Sequence, residues 1–360
     1  MRGGYAWLAA AIAGLMFSAC ASADPMTFRW ASSGGADGES WIAAEGEIVL
    51  GTPEAFLQFL AEGTFGNGRV EVYLNSPGGD LDAGLALGRL IRGHGFGTYV
   101  AHTGPDNDDT SITDFGPGQC LSACSYAFLG GKWRRADDRT VGVHQFYYPI
   151  AAENPDQTLF SGRDLSSDQK TEARLVNYIV GMGVDARFLA AASQTEPDTV
   201  HLLTTAEMAE YDVTYDDLAY MGWAFEPYKD GLIAFSKSLG GEKTATLFCR
   251  KNENRLRLFL SQPIGTNVTA SRDEFLAFVT NVPDARLFGF QIPDSDVSGR
   301  IKDGALILEF KLPPSIDAET EAASFGLSGG ADASVRPLFK QALPFENFNT
   351  YARLILRNCY

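Results

Sequence analysis

Between Val70 and Ile91 an apolar strand runs into Asn75-Ser76-Pro77-Gly78-Gly79 and from there directly into a helix. Val70–Leu74 (VEVYL) carries the β-branched and aromatic residues that suit a pleated, half-buried segment. Pro77 fixes one backbone torsion, and the two glycines after it can adopt conformations that other residues avoid. Leu81, Leu85 and Leu90-Ile91 then fall on one face of a helix. A strand that turns this tightly into a helix is the first half of a right-handed strand–helix–strand crossover. The region therefore belongs in an α/β layer with a largely parallel sheet.

Neighbouring segments alternate in the same way. Ser40–Leu50 reads as a strand broken at Gly46. Thr52 is an N-cap candidate with Pro53 at the first helical position, and Phe56, Leu57, Phe59 and Leu60 form the apolar face. Gly95–Val100 is a strand, and Ala101–Gly118 is a polar loop of unusual length. Cys120–Leu129 reads as a turn into a buried helix, Arg139–Phe146 as a strand, and Ser167–Gly181 and Asp185–Ala192 as helices. Thr204 or Thr205 caps a further helix, with Glu207 placed for a capping box.

The texture changes from about Tyr228. Thr244–Phe248, Arg255–Leu260, Arg286–Gln291, Ala305–Lys311 and Tyr351–Leu356 read as strands, and Ser271–Val279 as a helix. The expected organisation is a leader over residues 1–23, an α/β domain over 24–228 and a smaller β-rich (α+β) domain over 229–360.

The leader is read from Arg2, the apolar stretch Ala6–Phe17 and the small residues that follow, with Ala21 and Ala23 in the A-x-A spacing of a signal peptide cleavage site. The stretch is too short for a membrane span. Phe17-Ser18-Ala19-Cys20 also resembles a lipoprotein processing site, which would place a lipid anchor on Cys20. Either reading makes the chain exported, periplasmic or secreted. Of five cysteines, four then remain: Cys120, Cys124, Cys249 and Cys359. An exported chain oxidises such thiols. Three pairings are open, and locality favours Cys120–Cys124 with Cys249–Cys359. The order lacks the paired C-x2-C spacing of zinc sites and the histidines are scattered, so no metal or cofactor is expected. The net charge of −16 argues against nucleic acid and anionic membrane surfaces as partners.

Three segments carry chemistry. The Gly78-Gly79 turn opens a helix, so its N–H groups can face a developing anion or a peptide backbone, although a plain strand–helix turn has the same pattern. Ser122, among small residues in Gly118-Gln119-Cys120-Leu121-Ser122-Ala123-Cys124, is either a helix cap or a nucleophile with the Ala123 N–H beside it. His144, after the apolar Val141-Gly142-Val143, is either a core histidine or a base at a sheet edge.

Taken in order, Asn75-Ser76-Pro77-Gly78-Gly79, then Gly118-Gln119-Cys120-Leu121-Ser122, then Val143-His144-Gln145, these segments resemble the proteolytic subunit of the Clp protease and its crotonase-superfamily relatives. The resemblance covers roughly Trp41–Gly222 and implies a ClpP/crotonase-like spiral domain. It assigns Ser122 as nucleophile, His144 as base, and the N–H groups of Gly78 and Ala123 as the oxyanion hole. The family's acid precedes a helix resembled here by Thr205–Asp212, which points to Asp198, with Glu196 as rival. The substrate class implied is a peptide or protein, without an ATPase partner, and family members often form homo-oligomers. Ala101–Gly118 stands as an insertion ahead of the nucleophile, and a Cys120–Cys124 bridge would bracket Ser122. Two other functions fit the same scaffold: a catalytically inactive cell-envelope binding protein, and acyl-CoA chemistry, which an exported compartment disfavours.

Overall fold

A computed structural model of the chain describes residues 23–34, 40–63, 69–106, 112–146, 162–253, 255–263, 285–313, 322–324, 341–343 and 346–360. Residues 1–22 of the expected leader, with Cys20, and the helix expected over 271–279 lie outside these residues. The chain is a mixed α/β structure with several sheets.

The first sheet joins β1 (Thr27–Ser32), β2 (Ser40–Glu45), β3 (Glu71–Asn75), β4 (Gly97–Asp106) and β5 (Thr113–Pro117), with β7 (Arg134–Arg135) also paired to β4. Only its middle is parallel. β2, β3, β4 and β7 run the same way, while β1 and β5 are antiparallel additions. The expectation of a largely parallel sheet thus becomes a mixed sheet. Parallel neighbours need crossovers, supplied by α1 (Thr52–Glu62) between β2 and β3 and α2 (Leu81–Gly93) between β3 and β4. Ile42, Val72, Leu74 and Val100 share one core with Phe56 of α1 and Leu85, Leu87 and Ile91 of α2. Gly51, not Thr52, is the N-cap of α1, and the Thr52 hydroxyl instead accepts from the Val49 N–H at 2.9 Å.

The segment expected as a polar loop is largely a hairpin. β4 continues through Ala101 to Asp106, and β5 returns beside it, with 107–111 outside the described residues. Its anchor is aromatic. Phe115 meets Trp41 and Tyr73 edge-on at 5.4 and 5.3 Å, and those two rings stack at 4.7 Å. The Trp41 indole N–H donates to Thr103 Oγ1 at 3.0 Å. Phe115 and the inward threonines are scattered among glycine, proline and aspartate, which hides the strand pattern.

A second, three-stranded sheet joins β6 (Cys120–Leu121), β8 (Val141–Val143) and β9 (His201–Leu202). α3 (Ala123–Leu129) follows β6 at once. α4 (Gly162–Gly181), α5 (Arg187–Ser193) and α6 (Thr205–Glu210) complete this part. Thr204 and Glu207 form the expected capping box of α6.

Beyond Tyr220 a separate apolar cluster gathers. An antiparallel sheet runs in the order β10 (Ala224–Tyr228), β11 (Gly231–Lys237), β12 (Thr244–Cys249), β13 (Leu256–Pro263), β17 (Ala305–Lys311) and β16 (Val297–Lys302). A smaller sheet joins β15 (Phe290–Ile292), β14 (Ala285–Leu287), β18 (Ala322–Ser324) and β19 (Gln341–Ala342). The strand expected over Arg286–Gln291 is thus two, reversed at Phe288-Gly289, where both residues have positive φ. The strand expected over Tyr351–Leu356 is helix α7 (Phe348–Arg357). Phe348, Ala352 and Ile355 recur at helical spacing and are buried against the sheet. The Cys249–Cys359 bridge consequently ties β12 to the residue pair closing the chain after α7 rather than to a last strand.

Candidate active site

The carboxyl ends of β3, β6 and β8 lie side by side. Ser76, just past β3, bridges Cys120 in parallel, with the Ser76 N–H on the Gln119 carbonyl at 2.7 Å and the Leu121 N–H on the Ser76 carbonyl at 3.1 Å. β6 in turn pairs in parallel with β8, Cys120 opposite Val141 and Leu121 opposite Gly142. The Asn75–Gly79 turn, Ser122 and His144 therefore emerge together at one sheet edge, the place where open α/β sheets bind ligands.

Ser122 occupies the one-residue elbow between β6 and α3, with φ 54° and ψ −121°. That combination lies outside the regions an L-residue adopts without strain. It does not cap α3 through its side chain, so the capping reading of this serine does not hold in the structure. Its N–H donates to the Gly142 carbonyl at 2.9 Å, which fixes the elbow to the strand that leads into His144 two residues later. The same carbonyl also accepts from the buried Ser125 hydroxyl at 2.6 Å, and that hydroxyl reaches the Cys120 carbonyl at 3.1 Å. Ser125 is thus a strand–helix clamp that sequence reasoning missed. Its only signal was a buried hydroxyl in an otherwise apolar helix.

Gly78 has φ +107°, and a Cβ there would sit 2.7 Å from both the Leu121 carbonyl oxygen and Ser122 Cβ, and 3.3 Å from the Ala123 nitrogen. Gly78 therefore lies directly against the elbow. Ala123 opens α3, so its N–H is among those a helix start leaves without an intrahelical partner. The Gly78 N–H donates to Ser76 Oγ at 3.1 Å. α2 comes equally close at Gly84, where a Cβ would meet the Ala123 carbonyl oxygen at 2.5 Å.

His144 is partly exposed, and its Nδ1 lies 2.7 Å from the Gln145 carbonyl oxygen. A carbonyl only accepts, so Nδ1 carries the proton and Nε2 is the basic nitrogen. Gln145 is held in turn, its N–H on the Thr195 carbonyl at 3.0 Å and its side-chain amide on the Ser193 carbonyl at 2.7 Å. Asp198 and Glu196, the acids expected to orient His144, are exposed in the turn before β9. That turn does run alongside His144-Gln145, because β9 pairs antiparallel with β8.

A second polar cluster at the same edge was also missed. Glu45, at the end of β2, accepts from the Asn75 amide at 2.8 Å and the Thr103 N–H at 2.7 Å, and lies 3.1 Å from His102 Nδ1. Asn75 Oδ1 accepts from the Gln119 N–H at 3.0 Å. The asparagine of the turn thereby ties β2, β3 and β4 to the segment that delivers Ser122. The carboxyl ends of parallel strands were the available signal for Glu45 and His102.

Cys120 is bonded to Cys124 and Cys249 to Cys359, the pairing that locality favours. Among the described residues no group of three His, Cys, Asp or Glu side chains is placed to hold a metal ion, and no helix is long and apolar enough to cross a membrane. A groove of about 480 Å³ between α2 and α4, lined by Arg89, Lys170, Arg174 and Tyr178, contains none of the candidate residues.

No family model and no curated protein matches the chain. Among solved structures it is similar to a serine-to-alanine mutant of the 1510-N membrane-bound stomatin-specific protease, with a TM-score of 0.32, 16% identity, and coverage of 47% of this chain and 73% of that one. It is also similar to a lysine-to-alanine mutant of the same protease in complex with a substrate peptide, with a TM-score of 0.32, 16% identity, and coverage of 48% and 71% respectively.

Proposed function

We propose that the chain is an exported, ClpP-like serine hydrolase that cleaves peptides or proteins without an ATPase partner. The observation that carries the reading is the backbone of Ser122, held at φ 54° and ψ −121° between a strand and a helix while its N–H is fixed to the strand leading into His144. Strain of this kind persists where the surroundings over-determine it, and it presents a side chain that a relaxed turn would bury.

In this reading Nε2 of His144 takes the proton of the Ser122 hydroxyl as the oxygen attacks the scissile carbonyl, and later returns it to the leaving amine. The N–H groups of Ala123 and Gly78 stabilise the oxyanion, the second after exchanging its bond to Ser76 Oγ for one to the substrate. The Gln145 carbonyl sets the tautomer of His144, and Asp198, across the adjoining turn, is the acid assigned to that role by the family resemblance.

The test is labelling of the oxidised protein by a fluorophosphonate probe. Wild type labels, while Ser122→Ala and His144→Ala do not. Equal labelling of wild type and Ser122→Ala overturns the reading. Asp198→Asn separates the two orienting groups: a loss below tenfold leaves the Gln145 carbonyl in charge, and a loss near that of His144→Ala restores the acid. Absence of labelling in all forms favours the alternative of an inactive scaffold that binds a cell-envelope partner, a reading supported by the exposed position of Asp198.

A further inference from the structure

The two cysteines around Ser122 are both fully buried and bonded to each other. Cys120 belongs to the sheet. Its N–H donates to the Thr140 carbonyl at 2.9 Å, its carbonyl accepts from Ser125, and it bridges Ser76. Cys124 belongs to the first turn of α3. The bridge therefore crosses the elbow at its base, with Ser122 at the apex. Fully extended, these five residues would separate the two Cα atoms by about 13 Å, whereas a disulfide tolerates at most about 7 Å and here spans 5.1 Å. The bridge therefore opposes any relaxation of Ser122 towards extended backbone, which would move the start of α3 away from β6.

We propose that Cys120–Cys124 is the positioning device for Ser122, so that the chain acquires a reactive serine only when this bridge closes. The inference rests on the reading of Ser122 as nucleophile. The compartment then decides activity: the reduced chain carries a slack elbow, and oxidation sets it. In the closing step a small-molecule disulfide such as oxidised glutathione is the oxidant. The Sγ–Sγ bond forms as the oxidant's S–S bond breaks, two electrons pass to the oxidant, and its two sulfurs take up the two thiol protons. Both protein sulfurs are then out of reach of solvent thiols, so the folded chain keeps the bridge.

The experiment compares second-order fluorophosphonate labelling rates across pH for the full-length oxidised protein, the same chain prepared under reducing conditions, C120A/C124A and, as a control on the other bridge, C249A/C359A. The expected result is a fall of at least tenfold in the plateau rate of C120A/C124A with the pH midpoint of wild type retained, because His144 is untouched. C249A/C359A stays within twofold of wild type. The reduced chain labels at the slow rate and recovers with oxidised glutathione in step with formation of the Cys120–Cys124 peptide seen by mass spectrometry. A folded C120A/C124A or a folded reduced chain that labels within twofold of oxidised wild type overturns the inference alone. Loss of native circular dichroism in both forms also overturns it, since the bridge would then hold the whole layer rather than the elbow. An oxidised wild type that does not label refutes the nucleophile reading itself.

Discussion

Replacing Gly78 by alanine tests the packing of the turn against the Ser122 elbow. Two costs add at this position. The backbone has φ +107°, where a Cβ is strained by about 1–3 kcal/mol. The new methyl also meets the Leu121 carbonyl oxygen and Ser122 Cβ, each at 2.7 Å, and neither is the free end of a flexible side chain. Overpacking of this kind costs about another 1–3 kcal/mol. Gly78→Ala should therefore lose about 2–6 kcal/mol in urea unfolding followed by tryptophan fluorescence, with labelling of Ser122 down at least tenfold. Gly93→Ala is the matched control. Gly93 ends α2 with open space around the site of its Cβ, so alanine there should be neutral or should stabilise by about 0.5–1 kcal/mol. If Gly78→Ala unfolds within 1 kcal/mol of wild type, or no differently from Gly93→Ala, the close contact between the turn and Ser122 is wrong.

Three further outcomes follow from the hydrogen bonds and bridges. Ser125→Ala removes the hydroxyl shared by the Gly142 and Cys120 carbonyls; it should cost about 1–3 kcal/mol, read by calorimetry, with a larger relative loss in labelling than in the melting temperature. The Thr204 N–H, then the Thr204 hydroxyl and His201, hold the Glu207 carboxyl down at about 2 against 4.5 in the unfolded chain. Its stabilisation is thus complete above pH 4.5 and disappears as pH falls to about 2. Screening of a side chain 27% exposed limits it to about 1–2 kcal/mol, so Glu207→Gln should flatten the acid limb of stability between pH 4.5 and 2. Removing the Cys249–Cys359 bridge with C249A/C359A opens a loop of sequence separation 110; the chain-entropy relation gives about 4–5 kcal/mol, seen as early melting of the β-rich part with labelling retained.

The alternation of strand and helix from Ser40 to Val100 was legible because its signals are local. Each strand there is a short apolar run and each helix has a three-to-four residue stripe, and both are fixed by which face meets the core. The misreadings have an equally physical origin. Tyr351–Leu356 is apolar enough for a strand, and only the burial of Phe348, upstream of the run, discloses the helical period. The hairpin of β4 and β5 was hidden because its buried positions are held by threonines and its aromatic anchor Phe115 stays exposed, with glycine and aspartate between. Strands β10 and β16 went unread because their residues are mostly exposed or half-buried at sheet edges, where apolar alternation is weak.

The site divides along the same line. Gly78, Ser122 and His144 stood out because each sits at a break in a pattern, a glycine where a side chain should be or a polar residue at the end of an apolar strand, but each left a plain structural reading open and took its expected role from the family resemblance. What orients them was not readable, because it is done by backbone. The Gly142 carbonyl, receiving both Ser122 and Ser125, holds the Ser122 elbow, and the Gln145 carbonyl holds the His144 ring. Any residue type supplies a carbonyl, so no sequence spacing marks it, whereas an acid such as Asp198 can be sought by its residue type and its place before a helix. The imidazole geometry separates the two cases. A carbonyl partner carries no charge, so it fixes the tautomer of His144 without stabilising the imidazolium, whereas a carboxylate does both. Asp198→Asn tests which group holds the ring: labelling that survives the change leaves the Gln145 carbonyl as the orienting group, and labelling lost with it gives that role to the acid.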